Sequence, residues 1–275
     1  MQVTRLRVHP VKSFAGSDVR SARVEPWGLA GDRRWAVVDH DGATVTARER
    51  NGMLGLTAET LADGGVLLGG GGASDHALLP DAPLRVDPPV DAAPIPVGIS
   101  RQGQALPAGD EADAWLSARI GQPVRLVWQP DPRRRPVNPA HGGLPGEHVS
   151  LADVGPLLLT SEASLAQLDR WTDDGTPPLD MLRFRPNVVI DGHEPFAEET
   201  WSHVELGPVR FRVVGVCDRC VMTTIDPVTL VRGKEPIRTL AKHRRRNGKT
   251  YFGVWLAPET TGEIAVGDTV VPSPA

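Results

Sequence analysis

Short runs in which apolar and polar residues alternate dominate the first hundred positions. "TRLRVHPV" and "SARVEPW" alternate as half-buried strands do. "RRWAVVDHDG" runs into a turn at Asp41-Gly42, and "ATVTARE" is read as the returning strand of that hairpin. "GGVLLGGGGASD" and "DAPLRVDPPVDAAPIPV" are dense in Gly and Pro, which excludes long helices there. The period changes at "GDEADAWLSARIG", where Trp115, Leu116 and Ile120 share one helical face, Asp110 is a candidate N-cap and Gly121 a stop. A Pro- and Arg-rich stretch, "QPDPRRRPVNPAHGGLPGEH", has no period and is read as the main irregular segment, a candidate domain connection.

"VGPLLLTSEASLAQLDRW" reads as a strand entering a helix capped by Thr160 or Ser161, with Leu165, Leu168 and Trp171 on one face. "RFRPNVVIDG" is read as a strand, and "HVELGPVRFRVVGV" as a strand pair turning at Gly207-Pro208. "KEPIRTLAKHRRR" is a short helix whose basic last turn suits its dipole. "YFGVWLAPE" and "GEIAVGDTVV" are closing strands, and no repeat of fixed period is present. These elements predict a strand-dominated α+β protein with barrel-like sheets and a few short helices.

Bulk properties narrow the partners. A chain of 275 residues can bury one large core or two modest ones. The formal net charge of −4 gives no electrostatic reason to expect nucleic acid or an anionic membrane as the main partner. "MQVTRLRVHP" lacks the apolar run of a signal peptide, and no run approaches the roughly 20 apolar residues that span a bilayer. A cytoplasmic protein is expected, and a reducing compartment argues against a structural disulfide. Of the 30 basic residues only Lys12, Lys234, Lys242 and Lys249 are lysines. Lys12 stands alone in the first 233 positions, inside "HPVKS", as a compact three-donor charge would where a planar guanidinium does not fit.

The chain has two cysteines, Cys217 and Cys220, in "VVGVCDRCVMTTIDP". A zinc site would need two further ligands, and the histidines at 9, 40, 76, 141, 148, 193, 203 and 243 show no finger-like spacing. Two cysteines are too few for an iron–sulfur cluster. A redox dithiol favours a helix start, whereas "CVMTTIDP" is β-branched and ends in proline, which is strand or loop chemistry. One reactive thiolate at the end of the "VRFRVVGV" strand fits better, with Arg219 between the cysteines and Arg183, Arg185 and Lys12 as candidate neighbours. Such a thiolate could serve as a nucleophile or as a ligand to a soft transition metal; spacing alone leaves both open.

Other motifs are weaker. "RRNGKT" ends like a phosphate-binding loop, but His243 stands where that pattern needs glycine. "GGGG" has no dinucleotide-binding register and reads as a loop, and no Rossmann unit is evident. The start of the "TSEASLAQL" helix, with Thr160, Ser161 and Ser164, offers groups for an anion, although an ordinary cap is the plainer reading. "RFRP" would set Arg183 and Arg185 on one side of an extended strand as a phosphate fork; a solvated strand face is the plainer reading. "PRRRP" is read as a solvated basic loop.

"HPVKS", "GDRRWAVVD", "VTARE", "LLLTSEASL", "RFRPNVVI", "CDRCVMTTIDP" and "GEIAVGD" follow one another in this order. Together they resemble the MOSC-domain family with a MOSC N-terminal β-barrel, the group of YcbX-type proteins and the mitochondrial amidoxime-reducing component. The resemblance implies an N-terminal β-barrel domain over residues 1–120 and a MOSC domain over 121–275. It implies a molybdenum cofactor, a pyranopterin dithiolene (Mo-molybdopterin), with Cys220 as the protein's ligand to the metal and Cys217 as a neighbour. Lys12, Ser13 and Arg33 would be N-terminal cofactor contacts; Thr160, Ser161, Arg183, Arg185, Asn187 and Thr223 would serve the pterin and phosphate. Arg219 would flank the ligand, and Asp226 is a candidate proton relay for which a turn before proline is the plainer role. A family-level association with pyridoxal phosphate comes with the domain. The implied activity is two-electron reduction of N-hydroxylated compounds such as amidoximes, hydroxylamines or hydroxylated bases. A cofactor-binding or sulfur-carrying module without turnover of its own is the alternative. Some bacterial relatives carry a C-terminal ferredoxin-like domain; this sequence ends after "VGDTVVPSPA", so electrons are expected from a separate ferredoxin- or flavoprotein-like donor. The membrane-anchoring extension of the mitochondrial relatives has no counterpart here either.

Overall fold

A computed structural model describes residues 1–70, 82–173 and 175–275. The N-terminal part contains β1 (Val3–Val8), β2 (Ser17–Val19), β3 (Ser21–Glu25), β4 (Gly28–Leu29) and β5 (Trp35–Val38). It continues through β6 (Thr57–Thr60), β7 (Val66–Gly69), β8 (Leu84–Val86), β9 (Ile95–Pro96), β10 (Gln104–Pro107), α1 (Asp110–Ile120) and β11 (Arg125–Trp128). After the irregular segment come β12 (Leu157–Ser161), α2 (Glu162–Trp171), β13 (Val188–Ile190), β14 (Trp201–Leu206) and β15 (Val209–Asp218). The chain ends with α3 (Ile237–His243), β16 (Arg245–Arg246), β17 (Lys249–Pro258), β18 (Gly262–Ala265) and β19 (Val270–Pro274).

The largest sheet has nine strands in the order β19-β14-β15-β17-β12-β13-β1-β2, with β16 paired to β17. Its pairings are antiparallel except β12 with β13, which α2 joins as a crossover. Strands from both ends of the sequence therefore share one sheet. β3 likewise pairs with β18, and β11 with β5. Alternating side chains of the large sheet fill a core with Leu6, Leu159, Val188, Phe211, Val254 and Leu256 fully buried. A second core around Phe14, Trp35, Met53, Leu56, Leu116 and Leu126 lies under β5–β8 and α1.

The strand-dominated α+β expectation holds, with three α-helices among the described residues. The barrels do not close: among the described residues no ladder joins the two ends of the large sheet, although a Gln2–Thr269 bridge and the bonds of Val270 N to Met1 O and Val3 N to Asp268 O tie the start of β1 to that of β19. "ATVTARE" does not form a strand. After a bridge from Thr44 to Val38, the amides of Glu49 and Arg50 both bond Thr46 O and turn the chain away. Asp110 lies inside α1, and Gly109 is the N-cap; Gly121 ends the helix in a left-handed conformation (φ 76°), as expected. "RFRP" is a 3₁₀ turn over Met181–Phe184 with Arg185 left-handed, because the Asp180 side chain accepts from Leu182 N and starts the turn. Only Val188–Ile190 of that run is strand. Gly71, Gly72 and His76 lie outside the described residues. Among the described residues no helix is long and apolar enough to cross a membrane.

"PRRRP" differs from a solvated loop in one residue. Arg133 and Arg134 are exposed, but Arg135 is fully buried. It donates to Ser100 O at 2.9 Å, to Ala152 O at 2.7 Å and to Ser150 O. Burial lowers its pKa to about 10. Its work is to supply donors to three inward carbonyls, two on the loop that leads to Asp153 and one, Ser100 O, on the turn between β9 and β10. Arg135→Met keeps the volume but strands those carbonyls. Urea denaturation should show a loss of about 2–4 kcal/mol, as expected for buried acceptors left without partners; a change below about 0.5 kcal/mol would exclude the role.

Candidate functional site

β15 and β17 pair with two register shifts, between Val213 and Gly215 and between Val216 and Asp218. Bulges of this kind re-aim side chains. Here they turn Cys217 inward, where it is fully buried, and end the strand one residue later. Arg219 N then bonds Thr250 O at 2.8 Å, and Cys220 is exposed at the head of a 3₁₀ turn, Val221–Thr224. Strand or loop was expected; the threonines instead close the turn with their hydroxyls, Thr223 Oγ1 onto Cys220 O (3.0 Å) and Thr224 Oγ1 onto Val221 O (2.6 Å).

Both cysteines face a cavity of about 330 Å³ whose wall includes Lys12, Arg33, Arg48, Arg183, Arg185 and Arg219. Asp153 takes an ion pair from Lys12 and another from Arg48 at 2.7 Å. The crowding around Asp153 opposes its charge, yet Lys12 and Arg48 hold its carboxyl well below the usual range. Burial lowers the Lys12 pKa, and Asp153 only partly offsets this. Arg33 pairs with Asp32 (2.5 Å) and donates to Asn187 Oδ1 (3.1 Å); Arg183 pairs with Asp226 (2.5 Å). Arg185 donates to Phe14 O at 2.7 Å, and its pKa falls to about 9 through burial and then the charge of Arg33. Arg219 reaches Cys217 Sγ and Phe184 O, each at 2.7 Å. Burial pushes the Cys217 thiol up to about 11 despite that arginine. Three buried donors on these residues have no partner among the described atoms: Arg183 Nε, Arg185 Nη2 and Arg219 Nε.

Of the candidate site residues, Lys12, Ser13, Arg33, Arg183, Arg185, Arg219, Cys220 and Thr223 line this cavity. Others need correction. Thr160 and Ser161 are buried away from it, and the start of α2 is filled by the chain's own carboxylate: Ser164 Oγ donates to Glu198 Oε1 at 2.9 Å. Asn187 is also buried outside the cavity, tying Arg33 to Leu158 N and Arg7 O. Asp226 sits behind Arg183 and accepts from Val228 N and Thr229 N, a turn role. Arg183 and Arg185 reach the cavity from the 3₁₀ turn, without the shared strand face. Sequence reasoning missed Arg48, Asp153 and Trp255. Arg48 lay within a quoted motif, "VTARE"; Asp153 in "SLADVG" had no local signal, because its partners are distant in sequence.

An α+β fold with one exposed cysteine at the edge of a cationic cavity defines the class of site. The model of the MOSC domain matches residues 146–271, and that of the MOSC N-terminal beta barrel domain matches residues 1–123. The chain is 33% identical to mitochondrial amidoxime-reducing component 1 of Homo sapiens, over 98% of this chain and 82% of that protein. It thus belongs to the family that joins these two domains. Mitochondrial amidoxime reducing component 2 of Bos taurus is 31% identical over 98% of this chain and 82% of its own length. Molybdenum cofactor sulfurase of Danio rerio is 31% identical over 98% of this chain, which spans 34% of that protein.

Two outcomes follow from the burial contrasts. In native, metal-free protein at about pH 8, iodoacetamide should label Cys220 and leave Cys217 unmodified until denaturant is added, as peptide mass spectrometry would show. Labelling of both in the folded state would contradict the geometry. Glu198 is fully buried, and burial raises its pKa to about 7 from the ordinary 4.5. The unfolded chain releases this proton first, so stability falls as pH rises from about 4.5 to about 7 and then levels off. Glu198→Gln should match the parent below that window and exceed it above, read as denaturation midpoints at the two pH values. The same difference at both would remove the raised pKa as its cause.

Proposed function

We propose that this chain is a molybdenum-cofactor enzyme that reduces N-hydroxylated compounds with electrons from a separate protein. The observation that carries the proposal is Cys220, exposed at the edge of a cavity where buried arginine donors lack partners. Among the described residues no three His, Cys, Asp or Glu side chains converge on a metal position. A metal at Cys220 would need to arrive with most of its own ligands, which suits a dithiolene-bound centre. The donors suit its anionic end: Arg185 has no carboxylate partner, and Lys12 and Arg33 stand beside it on the cavity wall.

When bound, the cofactor supplies an oxo-molybdenum centre able to exchange an oxygen atom and two electrons. The chain's part is to ligate and to orient. Cys220 offers the sulfur, and its turn is fixed by Thr223 and Thr224. Arg219, held by Phe184 O and Cys217, keeps a positive charge against the cavity. Arg48 lies within hydrogen-bonding reach of Cys220 and is steered there by Asp153. Cys217, protonated and buried, is a packing neighbour and an acceptor for Arg219. The likeness to a molybdenum cofactor sulfurase favours a second reading, a module that binds the cofactor or carries sulfur without turning over a small substrate.

Purified protein should contain about one molybdenum per chain by elemental analysis, lost in Cys220→Ser and kept in Cys217→Ser. Zinc instead, or molybdenum retained in Cys220→Ser, would sink the ligand assignment. Loaded protein given a reduced artificial donor should convert benzamidoxime to benzamidine; loaded protein that forms no product would favour the carrier.

A further inference from the structure

The turn at Cys220 leads into a tongue, residues 226–233, whose shape is set by three contacts. Gly233 N bonds Thr224 O at 2.8 Å, Ile225 bridges Arg232, and the Asp226 carboxylate accepts from Val228 N, Thr229 N and the Thr229 hydroxyl. The tongue holds apolar side chains outward. Val228 is 82% exposed, Val231 65%, and Val221, next to Cys220, 49%. These are three of only seven large hydrophobics exposed among the described residues, gathered within eleven positions. Clustered exposed apolar side chains beside a site mark contact surfaces.

Charge surrounds this apolar centre. Residues 228–249 hold eight Lys and Arg and one acid, Glu235, in a chain with 30 basic and 34 acidic residues. Asp173, Glu199, Asp218 and Glu235 make ion pairs with Arg238, Lys242, Arg244, Arg246 and Lys249, leaving a net positive charge. Arg232, Lys234 and Arg245 are exposed and make no ion pair among the described residues. A cavity of about 380 Å³ opens beneath the tongue, between Val231, Lys234 and Arg238 on one side and Arg183 behind. Arg183 also lines the main cavity, so this face backs directly onto the site.

We infer that the tongue, with Arg232 at its end and Lys234 beside it as a basic rim, is the docking face of a small acidic electron-transfer protein, one with an apolar spot inside a carboxylate ring. That the partner brings electrons rests on the proposed function; that it is acidic rests on the charge of the face. An apolar centre with a charged rim gives fast, salt-sensitive and transient association, as electron delivery requires.

The test uses the full chain and an acidic [2Fe–2S] ferredoxin, with an acidic flavodoxin as a second probe and short single-stranded DNA as a control. Titration should show binding that weakens by about tenfold or more between about 50 and about 300 mM salt. Val228→Asp should weaken it by about tenfold or more and Lys234→Glu by about threefold or more, whereas Arg23→Glu on β3 should not. Unchanged melting temperatures would show that the exposed variants fold. Benzamidoxime reduction driven by reduced ferredoxin should fall in parallel, while the rate with a chemical reductant stays at the parent value. Absence of binding by both redox proteins, equal affinity in the face variants, or equally tight DNA binding would overturn the proposal. Face-dependent ferredoxin binding in protein that takes up no molybdenum would keep the docking face and sink the proposed chemistry instead.

Discussion

Six cationic side chains around one cavity repel one another, and each is held in place there by an ion pair or a hydrogen bond. Three carboxylates, Asp32, Asp153 and Asp226, take Arg33, Lys12 with Arg48, and Arg183. Backbone carbonyls do the rest: Phe14 O receives Arg185 and Phe184 O receives Arg219. Charges in such surroundings are tolerated only when paired or hydrogen-bonded. Three of the five guanidiniums nevertheless keep some donor capacity in reserve. The unpartnered nitrogens of Arg183, Arg185 and Arg219 are that reserve.

The same geometry breaks the symmetry of the two cysteines. Two bulges in the β15–β17 ladder and the return of Arg219 N to Thr250 O put Cys217 inside and Cys220 outside within three residues. A single-turn 3₁₀ segment then presents Cys220 without committing the chain to a helix whose dipole would pair the thiols in redox chemistry. Arg219 spends itself on holding Cys217 and Phe184 O, so Arg48, from a distant turn, supplies the charge beside Cys220.

Much of this was legible in the chain, and the failures have physical reasons. Period and cap signals found α1, α2, α3 and the β14–β15 hairpin, because those are local properties. Arg183 and Arg185 were rightly tied to the site but placed on a strand, since an Asp180 cap three residues earlier overrode the extended pattern. Thr160 and Ser161 looked like an anion cradle because free amides and hydroxyls invite one. That Glu198, more than 30 residues later, would return a carboxylate to Ser164 is a tertiary fact. Asp153 was invisible for the same reason, its partners Lys12 and Arg48 standing over a hundred residues away. Long-range ion pairs leave no periodic trace in a single sequence.

Asp226 shows how a turn residue can still matter to a site it does not enter. One carboxylate oxygen takes the amides of Val228 and Thr229, which shapes the exposed tongue; the other takes Arg183, which lines the cavity with Cys220. The hydrogen bonds to the tongue and the charge of Arg183 together hold this carboxyl below the usual range. It therefore stays ionised at neutral pH and cannot act as a proton donor there. What it does instead is mechanical. One side chain thus ties the backbone of the exposed tongue to an arginine on the cavity wall.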